Sequence, residues 1–180
     1  MRFRFLVMAM LTPFMASHLF AAEPQTGPVV PDFGAVYTVP GNTWNLEPDR
    51  LYKVSMDVSE TVEFSGERNR HIESAARFLN MHARNGVKPG NIEMAIVVHG
   101  AASRDLLTDA AYQARYNEPN PNTAMLAELQ AAGVKIYLCG QTAMHRKIGV
   151  EELSPAVSLA LSAMTAHVRL QSEGFTLIPF

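Results

Sequence analysis

The chain of 180 residues has a single cysteine, Cys139, and no marked excess of charge of either sign. One cysteine excludes an internal disulfide and any metal site built from several thiolates. With a formal net charge of −2 and no run of lysines and arginines, the chain lacks the basic surface typical of nucleic-acid binding. Its histidines match no zinc-ligand spacing, and the glycine spacing of a nucleotide-binding loop is absent. We therefore expect no metal, no cofactor and no nucleic-acid partner.

The chain also lacks an uninterrupted apolar run of the ~20 residues that span a bilayer. Arg2 and Arg4 precede a short apolar stretch over residues 5–11, Pro13 interrupts the apolar character soon after it, and small residues lie near residue 22. This arrangement is typical of a secretory signal peptide, and a retained N-terminal anchor is the alternative. We expect residues 1–22 to be removed, leaving a periplasmic or secreted protein with no stable membrane span.

The rest of the chain is long enough for one domain with its own core. Residues 23–50 are rich in proline and glycine, which predicts an extended lead without periodic structure. The apolar and aromatic residues of this lead favour docking on a protein surface over free disorder, either on the same subunit or on another. They are Tyr37, Val39, Trp44 and Leu46. Residues 51–180 then form the predicted domain.

Strands and helices alternate in this domain. Strands are predicted over residues 51–58, over 92–98, in the apolar run that ends at Cys139, and over 175–180. Helices are predicted over residues 66–84, 124–132, 142–148 and 154–173, with an irregular stretch over 101–122 that has a helical turn or two at 106–114. With right-handed crossovers this order predicts a three-layer α/β/α sandwich on a mostly parallel sheet.

The last predicted helix begins with Ser154 as its cap and Pro155 in its first turn. Leu161, Met164 and Val168 recur along it at helical spacing, which predicts an apolar stripe that faces the core. His167 lies among these apolar residues, and we interpret it as a core or interface histidine.

Cys139 stands at a strand end, directly before Gly140, Gln141 and a helix. Ligands and catalytic groups collect at the carboxyl ends of parallel strands, and a helix N-terminus favours a thiolate. Cys139 is therefore a candidate nucleophile, and an unpaired thiol in an oxidising compartment is expected to be either used or buried. The alternative is a structural cysteine that serves as a small buried apolar residue.

His99 ends the neighbouring strand, where its imidazole can take the thiol proton or stabilise the thiolate; capping a backbone group is the alternative. Gln141 can donate a hydrogen bond to a sulfur anion. We take Cys139, His99 and Gln141 as the candidate catalytic residues. Four further residues are candidates for lining the same edge: Asp57, Gly100, Ser103 and Gly140.

Taken together, His99-Gly100, the 137–141 stretch Tyr-Leu-Cys-Gly-Gln, the 161–167 stretch and the closing Gly-Phe-Thr-Leu-Ile-Pro-Phe resemble the DsrE/DsrF-like family, and in particular its exported members. The resemblance covers about residues 51–180. It implies a flavodoxin-like sandwich that forms homo-oligomers, often trimers or hexamers. The resemblance also implies a cysteine that, in characterised members, carries persulfide sulfur between partner proteins, and the residue that matches it is Cys139.

The predicted function is therefore that of a sulfur-handling protein, a persulfide carrier or sulfurtransferase component that uses Cys139 together with a sulfur donor or acceptor protein. The alternative is a non-catalytic module of the same fold that binds a small ligand or takes part in an assembly, with a structural cysteine. A flavin-binding relative of flavodoxin is a weaker alternative, because residues 57–66 do not form an obvious Ser/Thr-rich phosphate loop.

Overall fold

The computed structural model describes residues 23–179, so the predicted signal peptide lies outside the described residues. Within this range a five-stranded sheet has the order β4-β3-β2-β1-β5, and every neighbouring pair is parallel. The strands are β1 (Tyr52–Val58), β2 (Ile92–Val98), β3 (Lys135–Cys139), β4 (Val157–Ala160) and β5 (Thr176–Pro179). In this part of the chain no helix combines the length and the apolar character needed to cross a membrane.

Helices connect the strands. They are α1 (Arg70–Arg84), α2 (Asp109–Tyr116), α3 (Thr123–Ala131), α4 (Gly140–His145) and α5 (Ala163–Ser172), with 3₁₀ turns at Pro89–Asn91, Gly100–Leu106 and Val150–Glu152. The order of the strands determines where the helices pack, because parallel crossovers are right-handed. From β1 to β4 each new strand pairs at the same edge of the sheet, so the helices of these connections cover one face of the sheet. The chain then returns across the sheet to β5, which brings α5 to the other face.

The two faces of the sheet are covered very unequally. The main core lies under α1 and α3, where Ile72, Leu79, Leu126 and Leu129 pack on the sheet. The second core is small and consists of Ala95, Val97, Leu170 and Phe175, with α5 packed over it. The predicted three-layer α/β/α sandwich on a parallel sheet is thus confirmed, with a thin second layer of one helix.

The prediction of one long helix over residues 154–173 is wrong. Residues Val157–Ala160 form the edge strand β4, whose pairing with β3 runs from Ile136↔Val157 to Cys139↔Ala160. The helix begins only after it, with Ser162 as the cap whose hydroxyl accepts a hydrogen bond from the Thr165 amide at 3.0 Å. Four residues are too few to show a strand period, and the helical spacing downstream concealed them.

The predicted core stripe on this helix is also wrong. Leu161, Met164 and Val168 are exposed by 72%, 77% and 68%. The side of α5 that packs on the sheet carries Leu170 together with small alanines. Helical spacing identifies one side of a helix, but it does not identify the surface that this side contacts.

The other helix boundaries differ by a few residues from those predicted. Helix α1 begins at residue 70 because Asn69 caps it, its side-chain oxygen accepting hydrogen bonds from the amides of His71 and Ile72. Helix α4 starts directly after Cys139 and ends at His145. The irregular stretch before α3 holds a 3₁₀ turn and a two-turn helix at 109–116.

The lead docks on α1 of the same chain through one buried side chain, that of Asn80. Its oxygen accepts hydrogen bonds from the amides of Val29 and Val30, and its nitrogen donates to the carbonyl oxygens of Val30, Phe33 and Gly34, all at 2.9–3.2 Å. Val30 and Phe33 are buried beside it. Gly34 has a φ of +69°, and a Cβ there would lie 2.4 Å from the backbone of α1, so the lead approaches α1 without a side chain at this point.

Of the four lead residues that were expected to dock, three do not. Tyr37, Val39 and Trp44 are exposed, and only Leu46 packs against the core. Docking instead combines the buried side chains of Val30 and Phe33 with hydrogen bonds from Asn80 to the backbone of the lead, and these hydrogen bonds leave no pattern in the sequence.

We expect Asn80→Ala to lower the free energy of unfolding by about 2–4 kcal/mol, because several backbone groups of the lead lose their buried partner. Chymotrypsin should then cleave after Phe33 faster than in the parent protein. The matched control is Asn85→Ala at the end of the same helix, where the amide nitrogen donates only to the Met81 carbonyl and is exposed. Equal cleavage of both variants would contradict the anchoring role of Asn80.

Candidate functional site

The carboxyl ends of three neighbouring strands and the first turns of α5 enclose a cavity of about 310 Å³. Asp57 lies near the end of β1, His99 follows β2, and Cys139 ends β3. His167 reaches the same cavity from α5, and Gln141 and Met164 lie at its border. Since β2 and β3 pair up to Val98↔Leu138, the residues after these two paired positions stand side by side at one edge.

One carboxylate links the two histidines of this cavity. Oδ1 of Asp57 lies 3.0 Å from Nε2 of His99 and 3.0 Å from Nε2 of His167. A carboxylate only accepts hydrogen bonds, so both Nε2 atoms carry a proton. The Nδ1 atom of each ring is then the position that can take up a further proton. Nδ1 of His167 is buried and has no hydrogen-bond partner within residues 23–179.

Cys139 is 6% exposed and caps the amino end of α4. Burial raises the pKa of its thiol, but hydrogen bonding outweighs burial and leaves the pKa below that of an ordinary thiol. The donors are the backbone amides of Thr142, Ala163 and Gln141 and the Thr142 hydroxyl. Although the sulfur makes no side-chain cap hydrogen bond of regular geometry, these donors favour the thiolate.

Thr142 is a site residue that sequence reasoning missed. Its hydroxyl oxygen accepts a hydrogen bond from the Gly100 amide at 3.3 Å, which ties α4 to the turn after β2 and leaves the hydroxyl proton for the sulfur. Gly100 has a φ of +56°, so a residue with a side chain is strained at this turn. The signal in the sequence is the position of Thr142, three residues after the cap Cys139. At this position of a helix the backbone amide and the side chain face the capping atom.

His167 is the second such residue. Its interpretation as a core or interface histidine rested on the long helix that the structure replaces with β4 and α5. Its side chain is 16% exposed, and its ring contacts Asp57 rather than a hydrophobic core. No spacing in the sequence relates positions 57 and 167, so only the fold brings them together.

The remaining predicted residues lie in different places. The Gln141 side chain is exposed and donates to the Leu161 carbonyl at 3.4 Å, while its amide faces the sulfur. Gly140 opens α4, and a Cβ there would lie 2.6 Å from the Ala160 carbonyl oxygen, so glycine lets the helix begin against β4. Ser103 does not join this cavity; its hydroxyl donates to the Gly100 carbonyl at 2.9 Å, and it lines a separate cavity.

The site thus combines a thiol whose pKa is lowered by hydrogen bonding with two imidazoles that share one carboxylate. Such a set can form a covalent bond at sulfur and exchange a proton beside it. Among the described residues 23–179, no three His, Cys, Asp or Glu side chains are arranged to hold a metal ion.

We expect Thr142→Val to raise the pKa of Cys139, because the variant lacks a hydroxyl donor to the thiolate. The midpoint of the alkylation rate against pH should move to higher pH, with about a tenfold slower reaction at neutral pH. Iodoacetamide alkylation followed by mass spectrometry measures both. Thr38→Val, in the exposed lead, is the control and should leave the profile unchanged; an unchanged profile for Thr142→Val would show that the hydroxyl does not act on the sulfur.

Comparison with known proteins agrees with this fold. A family model described as the DsrE/DsrF-like family matches residues 57–180. Two solved structures are similar, a protein of unknown function, MTH1491, from Methanobacterium thermoautotrophicum (19% identity, TM-score 0.55) and the YchN protein from E. coli (16% identity, TM-score 0.51). Each comparison covers 72% of this chain and 99% of the other. A search of the curated proteins finds no significant match. Because the family model spans most of the chain and includes the strand ends that form the site, the chain belongs to the DsrE/DsrF-like family.

Proposed function

We propose that this protein carries sulfane sulfur as a persulfide on Cys139. The observation that carries the proposal is the lowered pKa of the Cys139 thiol in a cavity that it shares with two histidines. Membership of a sulfur-relay-type family supports the same chemistry.

The transfer step needs no oxidant. The Cys139 thiolate attacks the outer sulfur of a donor persulfide, a new sulfur–sulfur bond forms, and the donor's own sulfur–sulfur bond breaks. His99 or His167 takes the proton of the Cys139 thiol before the attack, and the donor, which leaves as a thiolate, receives that proton from the imidazolium. Passing the sulfur to an acceptor thiolate is the same step in reverse, so the oxidation states are conserved over the cycle.

The absence of a second cysteine suits a carrier of this kind. A neighbouring thiol would attack the persulfide, release hydrogen sulfide and leave a disulfide. With Cys139 as the only cysteine of the chain, the bound sulfur can leave only to another molecule. A donor or acceptor protein is therefore part of the proposal, and with residues 1–22 acting as a signal peptide both would be periplasmic or secreted.

The test is to incubate the purified protein with a low-molecular-weight persulfide and to follow the gain of one sulfur atom by mass spectrometry. We expect Cys139→Ser to abolish the gain without unfolding the protein. His167→Gln and Asp57→Asn should slow it by about tenfold or more, since general acid–base catalysis contributes about 10²–10⁴-fold. His145→Gln is the matched control, because this exposed histidine ends α4 outside the cavity. Sulfur uptake by Cys139→Ser would refute the proposal.

The burial of Cys139 favours a second candidate, a ligand-binding module with a structural cysteine. In that case Cys139→Ala would retain stability and ligand binding, and the parent thiol would react with iodoacetamide only after unfolding. Fast alkylation of the folded protein at neutral pH would exclude this candidate.

We further propose that the protein is a homo-oligomer. Exposed apolar side chains occur on α4, on β4, on α5 and in the link between β4 and α5, and they are here called the apolar rim: Met144, Leu159, Leu161, Met164 and Val168. Parallel sheets are normally covered on both faces, whereas among residues 23–179 only α5 covers the second face. A second copy of the chain would complete this layer, in the trimers or hexamers that the family resemblance implies.

Val168→Glu should therefore lower the oligomeric state in light scattering, because it places a charge in the apolar contact. Val39→Glu is a closely matched control, since Val39 is 67% exposed and Val168 68%. A parent protein that is monomeric at micromolar concentration, or equal behaviour of the two variants, would contradict the assignment of the rim.

A further inference from the structure

A second cavity, of about 280 Å³, lies between the 3₁₀ turn Gly100–Leu106, the end of α2 and the chain after α4. It shares no lining residue with the cavity of Cys139. Three arginines line it, Arg104, Arg115 and Arg146, together with Ser103 and Tyr116. Within the described part of the chain, no acidic side chain lines this cavity.

Arg104 brings a largely buried positive charge to this cavity, its side chain being 16% exposed. Its guanidinium is held by neutral acceptors, the Thr61 hydroxyl at 3.2 Å and the Val62 carbonyl at 2.6 Å, and it lies 5.5 Å from the centre of the Tyr116 ring. The nearest carboxylate is that of Asp105 at 3.6 Å. Burial raises the pKa of Asp105, whereas the hydrogen bond from Asn69 and the charge of Arg104 lower it.

Arg115 helps to form the wall of the cavity, but its charge is paired. Its Nη2 donates to both oxygens of Glu152, at 2.6 and 2.8 Å, and to the Lys147 carbonyl at 2.9 Å. Lys147 has a φ of +54°, a conformation that non-glycine residues seldom adopt. Arg115 thus fixes a tight turn directly after Arg146.

Arg146 stands at the rim of the cavity with its charge unpaired. Its backbone amide donates to the Thr142 carbonyl, but its guanidinium makes no hydrogen bond, ion pair or ring contact within residues 23–179. A guanidinium presents several donors in a planar fork, a geometry that matches the oxygens of phosphate or sulfate.

We propose that this cavity binds a small oxyanion of the phosphate or sulfate type, with Arg104 at its base and Arg146 at its rim. Water occupies about 30 Å³ per molecule in the liquid. The cavity therefore has room for a tetrahedral anion with some waters, or for the anionic group of a small organic molecule whose body lies beside Tyr116. The net charge of −2 and the paired Glu152 nearby make an extended polyanion a poor fit.

The test is an NMR titration of the ¹⁵N-labelled protein with sodium phosphate, at an ionic strength held constant with sodium chloride. We expect saturable shifts at the amides of residues 103–107, 115–116 and 146–148. Arg146→Gln should weaken binding by about tenfold or more, the usual effect of losing a hydrogen bond to a charged group, and Arg146→Glu should abolish it. Arg146 is exposed and its side chain is unpaired, so the variants should fold, and the same spectra check this.

Arg70→Gln is the matched control, since Arg70 is exposed at the start of α1 and its side chain has no partner in the described chain either. It should leave the affinity unchanged. Phenyl phosphate, titrated in parallel, distinguishes the two sources of the anion: tighter binding than inorganic phosphate indicates an organic ligand, and equal binding an inorganic one. Shifts that do not saturate, or an equal affinity of Arg146→Gln and the parent protein, would overturn the proposal.

Discussion

The common direction of the five strands is the constraint on which the site depends. In a parallel sheet every strand ends at the same edge. Residues that are far apart in the chain therefore lie close together there because of the fold, and not because they attract one another. Asp57, His99 and Cys139 come from three successive strands in this way. The connection from β4 to β5 runs back across the sheet, opposite to the order in which β1 to β4 are placed. Because this crossover is also right-handed, it puts α5, with His167, on the other face of the sheet.

Much of the fold could be predicted because β2 is almost completely buried and the run that forms β3 is mostly apolar. The apolar run at 92–98 and the run that ends at Cys139 have no other stable environment than the middle of a covered sheet. The edge strand β4 could not be predicted, since none of its four residues is buried and their pairing with β3 depends on a partner that local sequence does not show. The same limit explains the stripe on α5, where Leu161 and Met164 face away from their own domain.

The residues of the site also divide into those that could be predicted from the sequence and those that could not. Asp57, His99 and Cys139 could be predicted to share an edge, because each stands at the end of a recognisable strand. His167 could not, because its position depends on where α5 begins, and that is set by a strand absent from the prediction. Ser103 was assigned to the wrong cavity because the 3₁₀ turn after Gly100 carries it away from the thiol. The sequence therefore predicts which residues end the strands, whereas the positions of side chains on helices and turns are known only from the structure.

The thin second layer connects assembly with access to the thiol. Cys139 is nearly covered by its own chain, and its cavity opens beside Met164, which also belongs to the apolar rim. Any molecule that covers the rim must therefore come close to the opening through which sulfur would enter. The sparse cover of this sheet face and the position of Met164 at the thiol cavity both follow from one feature of residues 23–179, the helix α5 on the return from β4 to β5. Assembly and sulfur exchange at this edge are for that reason expected to depend on each other.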